Sequence, residues 1–179
     1  MSTFFDEDSS GDEATVKSVP RSEEEIATAR ECSSTNKAAG DDAFRSKNFD
    51  AALALYTEAI KALNSAGLPS DSVILANRSA TYLALKRFVP ACHDAIQSSN
   101  ADPTNWKAYR RQAVALQGMA KKKFRTRQAI EALEKCLDCD TLTADKRPEV
   151  EAMLVKARAF LQKQDDETPM ADMSNCAPS

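Results

Sequence analysis

The run FDAALALYTEAIKAL, residues 49–63, decides the fold. Its apolar residues recur every three or four positions, which places them along one face of a helix. The run AIEALEKCL, residues 129–137, has the same apolar spacing. A helical pattern that returns along a chain is typical of proteins in which successive units stack on one another. The sequence therefore predicts an all-α repeat fold.

The composition agrees with a single helical domain. The chain has 179 residues, and its four glycines and 6% aromatic content leave little material for a many-stranded sheet. No apolar run approaches the roughly 18 residues that span a bilayer, and residues 1–20 carry acids where a secretory signal is basic and then apolar. We therefore expect a cytoplasmic protein, with the nucleus as an alternative location, and no membrane partner.

Charge is distributed unevenly along the chain. Residues 1–21 and 165–179 together carry a net charge of −7, whereas the whole chain carries −3, so residues 22–164 carry +4. The two ends lack periodic apolar residues, and we expect them to be disordered acidic tails. Residues 22–164 are then the folded domain, and their positive charge favours an anionic ligand.

Capping and turn residues divide the folded part into seven helices. Ser22 and Glu25 form a capping box at the first helix, and Gly67 and Pro69 end the second. Alanines recur where paired helices must approach closely, which favours stacked antiparallel hairpins. The last helix has one apolar stripe, as expected of a cap on an open end. The predicted helices cover about 22–47, 48–65, 72–86, 88–100, 104–120, 126–138 and 146–163.

No pattern in the sequence indicates catalysis, a metal or a cofactor. The chain has no glycine-rich phosphate loop, and no nucleophile is spaced with a base. Cys136 and Cys139 form one Cys-x-x-Cys pair, but no second pair or nearby histidine completes a four-ligand set. His93, the only histidine, fits an ordinary helix surface. We therefore expect that the protein is not an enzyme.

With these elements placed, the chain resembles the tetratricopeptide repeat (TPR) family. Ser79 to Ala113 is a step of 34 residues, the period of this family, and Gly40 to Ser79 is five residues longer. The resemblance implies three helical hairpins in a right-handed superhelix, followed by a C-terminal capping helix. The residues that carry the pattern are Gly40, Phe49, Ala52, Tyr56 and Ala59 in the first copy, and Ser79, Tyr82, Phe88, Ala91, Asp102 and Pro103 in the second.

A narrower resemblance is to the carboxylate-clamp TPR domains of co-chaperones. These domains bind the acidic C-terminal tails of 90-kDa or 70-kDa heat-shock chaperones, so the resemblance implies an adaptor with that partner. Four of the five positions have the residue typical of the subgroup. The five positions, here called the clamp residues, are Lys37, Asp41, Asn77, Lys107 and Arg111.

Helix geometry supports the same grouping. Lys37 with Asp41, and Lys107 with Arg111, are four residues apart and so share a helix face. First helices line the inner curve of such a superhelix, so all five side chains are expected to converge.

Asp41 departs from the subgroup, which has an asparagine at this position. An ionised carboxylate only accepts hydrogen bonds and repels a ligand carboxylate. At about 5 Å and an effective dielectric near 20, that repulsion is roughly 3 kcal/mol, or about a hundredfold in affinity. Pairing of Asp41 with Lys37 would reduce the repulsion but would occupy the lysine. We therefore expect a clamp that is weakened or that prefers a different tail.

Two other functions are compatible with the sequence. The repeats would also serve as a scaffold for another protein, with no capture of a carboxylate. Nucleic-acid binding is the other alternative, through a basic turn in which only Phe124 could stack on a base. A solvated turn explains these residues equally well, and we expect no nucleic-acid partner. The basic turn comprises Lys121, Lys122, Lys123, Arg125 and Arg127.

Overall fold

The computed structural model describes residues 22–119 and 122–166, and these residues form seven α-helices and no strand. The predicted tails, residues 1–21 and most of 165–179, lie outside the described part. The helices are α1 (Glu23–Arg45), α2 (Phe49–Ser65), α3 (Ser72–Ala84), α4 (Phe88–Ala101), α5 (Trp106–Gly118), α6 (Lys123–Asp138) and α7 (Arg147–Asp166).

The helices pair as three hairpins: α1 with α2, α3 with α4, and α5 with α6. Neighbouring hairpins also touch through their first helices, because α3 contacts both α1 and α5. The first helices therefore lie side by side and form one face, here called the inner face. Helix α7 packs on α6 and closes the stack, and a salt bridge from Arg110 to Glu149 joins it to α5.

The sequence predicted these elements closely. The capping box is present, since the Ser22 hydroxyl accepts from the Glu25 amide and the Glu25 carboxylate accepts from the Ser22 amide. Two boundaries differ from the prediction by three residues, and the others by two or fewer. Helix α6 begins at Lys123 rather than near Thr126, so two residues of the basic turn belong to its first turn, and α7 continues to Asp166.

Small residues allow the hairpins to approach closely. The five alanines expected at the contacts are fully buried: Ala52, Ala59, Ala91, Ala113 and Ala129. Gly40 has the same role between α1 and α2, because a Cβ atom there would lie 2.8 Å from the ring of Tyr56. The close approach at Gly40 is what lets Tyr56 lie directly beneath the inner face.

A buried ion pair that the sequence did not indicate holds α3 and α4 of the second hairpin together, and its arginine also reaches α2 of the first hairpin. Arg78 of α3 donates from Nε to Asp94 Oδ2 at 2.7 Å and from Nη2 to Asp94 Oδ1 at 2.8 Å. Its Nη1 reaches Thr57 of α2 at 3.4 Å. Asp94 is only 2% exposed, so its charge depends on Arg78. The same hydrogen bonds raise the pKa of Arg78.

We predict that Asp94→Ala lowers the free energy of unfolding by about 3–5 kcal/mol, because Arg78 is left largely buried without its partner. Urea denaturation followed by circular dichroism measures this change. The control is Glu131→Ala, which removes an exposed i,i+4 partner of Lys135 and should cost about 0–1 kcal/mol. Equal losses in the two variants would contradict a special role for the buried pair.

Candidate functional site

Three helices meet at the Asp41 carboxylate on the inner face. Its Oδ1 accepts from the Tyr56 hydroxyl of α2 at 2.6 Å and from Asn77 Nδ2 of α3 at 2.9 Å. Its Oδ2 accepts from Lys37 Nζ of α1 at 2.8 Å, in an i,i+4 salt bridge. Three of the five clamp residues are therefore joined in one hydrogen-bond network.

The network shifts the acidity of its members. Burial tends to raise the pKa of Asp41, but hydrogen bonds from Lys37, Tyr56 and Asn77 and the charge of Lys37 favour the ionised form. The pKa of Asp41 is therefore lowered overall, and the side chain is an anion at neutral pH. Burial and the bond to Asp41 raise the pKa of the Tyr56 hydroxyl, which remains a donor.

Arg111 lies beside this network with an unpaired buried donor. Its Nη1 is buried and has no hydrogen-bond partner among the described residues. Burial, aided by the charge of Arg110, lowers the pKa of Arg111 to about 10, so the guanidinium remains charged at neutral pH. Arg111, Asp41, Tyr56 and Asn77 line one cavity of about 330 Å³, together with Phe44, Arg45 and Ala80.

Lys107 lies one turn before Arg111 and lines an adjoining cavity of about 260 Å³. Its Nζ lies 5.9 Å from the centre of the Trp106 ring, and it forms no ion pair within residues 22–119 and 122–166. Asn77 and Arg111 line both cavities. The two cavities are thus neighbouring parts of the inner face, and Lys107 is an exposed cation of the second cavity.

The five clamp residues lie on adjoining parts of the inner face, but not in equivalent states. Asp41, Asn77 and Arg111 line the first cavity, and Asn77, Lys107 and Arg111 line the second. Lys37 is joined to them only through its salt bridge to Asp41. Asp41 and Lys37 pair with each other, as the sequence had suggested, and Asn77 also donates to Asp41. Arg111 and Lys107 are the cations of this set without an anionic partner in the described part. The chemistry available is binding of an anion by Lys107 and Arg111, next to a fixed carboxylate.

Sequence reasoning missed the role of Tyr56 at this site. Its ring fits the predicted interior and is 1% exposed, but its hydroxyl is part of the Asp41 network. A buried tyrosine hydroxyl usually has a hydrogen-bond partner. That rule could have indicated that Tyr56 has a polar contact in addition to its packing. The partner itself was not readable, because it lies 15 positions earlier on a different helix.

The other candidate groups have contacts within the fold. In the basic turn, Lys123 pairs with Asp165 at 3.0 Å, and Arg125 donates to the Met119 carbonyl at 3.0 Å. Cys136 is buried, and its thiol donates to the Trp106 carbonyl at 3.3 Å. His93 is exposed, as its pattern predicted. Within residues 22–119 and 122–166 no helix is both long and apolar enough to cross a membrane.

Individual known proteins, rather than a family model, are similar to this chain. No family model matches the chain. A curated relative, small glutamine-rich tetratricopeptide repeat-containing protein 2 of Saccharomyces cerevisiae, is 33% identical over 104 residues, which is 58% of this chain and 28% of the relative. The chain thus spans less than a third of the length of that relative.

Solved structures of TPR domains are also similar to this chain. The Sgt2 TPR domain of Aspergillus fumigatus has a TM-score of 0.62 at 27% identity, covering 82% of this chain and 91% of that domain. The first TPR of Spaghetti (RPAP3), bound to the HSP90 peptide SRMEEVD, has a TM-score of 0.63 at 22% identity, covering 74% and 95%. The chain has the tetratricopeptide-repeat fold, and its relatives include tetratricopeptide repeat-containing proteins.

We predict that Tyr56→Phe raises the pKa of Asp41, because Oδ1 loses a donor while the carboxylate remains partly buried. A pH titration of the Asp41 carboxyl by ¹³C NMR measures the shift. In the wild type the folded-state pKa lies below the unfolded value, so this group stabilises the fold above about pH 4, and the contribution is lost as pH falls through the folded pKa.

Tyr82→Phe is the matched control, since it removes a hydroxyl from a ring that lies under Arg87 and not at Asp41. It should leave the pKa of Asp41 unchanged. If Tyr56→Phe also left that pKa unchanged, the bond between Tyr56 and Asp41 would have no influence on the site.

Proposed function

We propose that this protein is a co-chaperone-like adaptor that binds the acidic C-terminal tail of a 90-kDa or 70-kDa heat-shock chaperone on its inner face. The observation that carries the proposal is the Arg111 guanidinium, which has a buried donor without a partner beside a cavity of about 330 Å³. Lys107 is a second cation, in the adjoining cavity of about 260 Å³ that Arg111 also lines. An HSP90 peptide bound by a domain of the same fold supports this choice of partner.

The electrostatics favour a carboxylate as the ligand group. Lys37 and Asp41 largely neutralise each other, so the remaining charge of the clamp residues comes from Lys107 and Arg111. Each charge-assisted hydrogen bond to a carboxylate contributes about 1.5–3 kcal/mol where water is excluded. Two such contacts are sufficient for a specific but moderate affinity, and Asp41 reduces it further by repulsion.

The proposal includes the organisation of the chain. The TPR domain, predicted as residues 22–164, extends with its capping helix to Asp166, and residues 1–21 and 167–179 are acidic tails. The protein acts by binding, without catalysis, and we propose a cytoplasmic location. The alternative is a TPR scaffold that binds another protein with no capture of a carboxylate, and the experiments below separate the two.

We predict that Arg111→Ala and Lys107→Ala each weaken binding of the free-acid peptide SRMEEVD by about tenfold or more, since each removes one charge-assisted contact. Isothermal titration calorimetry measures the affinity. Lys135→Ala is the control, because it removes one positive charge at an exposed position of α6. This control should bind as the wild type does.

The same titration with a C-terminally amidated SRMEEVD peptide tests whether the terminus itself is recognised. We expect weaker binding of the amidated form, because it lacks the terminal negative charge. Equal affinity for the free-acid and amidated peptides would contradict carboxylate capture and favour the scaffold alternative.

We also predict that Asp41→Asn tightens binding of free-acid SRMEEVD, by up to about a hundredfold, because a repulsion of roughly 3 kcal/mol is removed. Glu131→Gln removes one negative charge at an exposed position of α6, where the side chain pairs with Lys135. Glu131→Gln should change the affinity little. Unchanged or weaker binding by Asp41→Asn would show that Asp41 does not face the ligand.

A further inference from the structure

Asp41 gives the site a hydrogen-bond acceptor as well as cations. Given the proposed function, on which this inference rests, that acceptor affects which C-terminal tails bind most tightly. We propose that Asp41 makes the site select C-terminal tails whose last residue has a hydrogen-bond-donating side chain, such as a carboxamide, beside its free α-carboxylate. Among the acidic tails that the proposed function covers, one that ends in asparagine or glutamine is therefore preferred over one that ends in aspartate.

Asp41 can accept one more hydrogen bond than the protein provides. An ionised carboxylate has about four acceptor positions, and the protein fills three of them. Two of these donors bind Oδ1, and only Lys37 binds Oδ2. The side chain is 29% exposed and lines the cavity of about 330 Å³, so a ligand donor can reach it.

Arg111 is opposite to Asp41 in both charge and hydrogen bonding. It lines the same cavity, is positively charged at neutral pH and has an unpaired buried donor. The cavity thus contains one group that only accepts, Asp41, and two that only donate, Arg111 and Arg45. Of these, Arg45 already pairs with Asp42. A complementary ligand residue has both an anion and a donor, which a terminal asparagine provides through its carboxylate and its side-chain amide.

A tail that ends in aspartate is less complementary to this cavity than one that ends in asparagine. Its two carboxylates would bring only acceptors to the site, so the one next to Asp41 would meet an acceptor of the same charge. Two carboxylates that share a site cannot both ionise without cost. An amide at that place removes the repulsion and adds a hydrogen bond to Asp41.

A purely structural role for Asp41 makes a different prediction. In that case Asp41 only holds Lys37, Tyr56 and Asn77 in place, and the wild type and Asp41→Asn have the same preference between the two peptides. The discriminating quantity is therefore the preference itself, and not the affinity for one peptide.

The test is a two-by-two titration, by calorimetry, of the full chain and its Asp41→Asn variant with the free-acid peptides SRMEEVD and SRMEEVN. We expect the wild type to bind SRMEEVN about tenfold more tightly than SRMEEVD, and Asp41→Asn to reverse the preference. Glu131→Gln, which removes an exposed negative charge on α6, is the matched control and should retain the wild-type preference. Circular dichroism of each variant verifies that the fold is retained.

The outcomes separate this inference from the function on which it rests. If both peptides bind but the wild type prefers SRMEEVD as strongly as Asp41→Asn does, the inference is wrong and tail binding stands. If neither peptide binds to any of the three proteins, the proposed function fails, and the inference fails with it.

Discussion

The inner face of this protein is organised by the Asp41 carboxylate. It accepts hydrogen bonds from Lys37, Tyr56 and Asn77, which lie on the first three helices. Because each donor reaches the same group, the position of α1 relative to α2 and α3 is fixed where a ligand would bind. Gly40 makes the arrangement sterically possible, since a larger residue would collide with the Tyr56 ring.

The same carboxylate sets the electrostatic character of the site. It neutralises Lys37 and engages the Asn77 amide, so these two groups are committed before a ligand arrives. Arg111 and Lys107, on the third hairpin, are left to attract an anion. The cations available to an anion, Arg111 and Lys107, are thus on one side of the inner face, and the acceptor Asp41 is on the other side. This asymmetry is the physical basis for a ligand preference that differs from that of a site with only cations and amides.

Much of the fold was predictable because it depends on local and periodic features. The capping box at Ser22, the turn at Gly67 and the buried alanines each follow from residue type and spacing. The proximity of Lys37 to Asp41, and of Lys107 to Arg111, followed from the four-residue spacing on a helix. These inferences need only the helix period and the order in which the hairpins stack.

The remaining features depend on contacts between distant parts of the chain. The ion pair of Arg78 with Asp94 links residues 16 positions apart, and no local pattern marks either residue as buried. The bond from Tyr56 to Asp41 is similar, since a packing pattern gives the position of the ring but not the partner of its hydroxyl. The early start of α6 at Lys123 was also missed, because a run of basic residues is compatible with either a turn or a helix end.

The most direct measurement is a crystal structure of the protein with a free-acid tail peptide. The account predicts that the peptide lies on the inner face, with a carboxylate within hydrogen-bond distance of Arg111 and Lys107, and that Asp41 keeps its bonds to Tyr56 and Asn77. A peptide on the outer helices, or one whose terminal carboxylate lies away from Arg111, would contradict the central claim that this face captures a carboxylate.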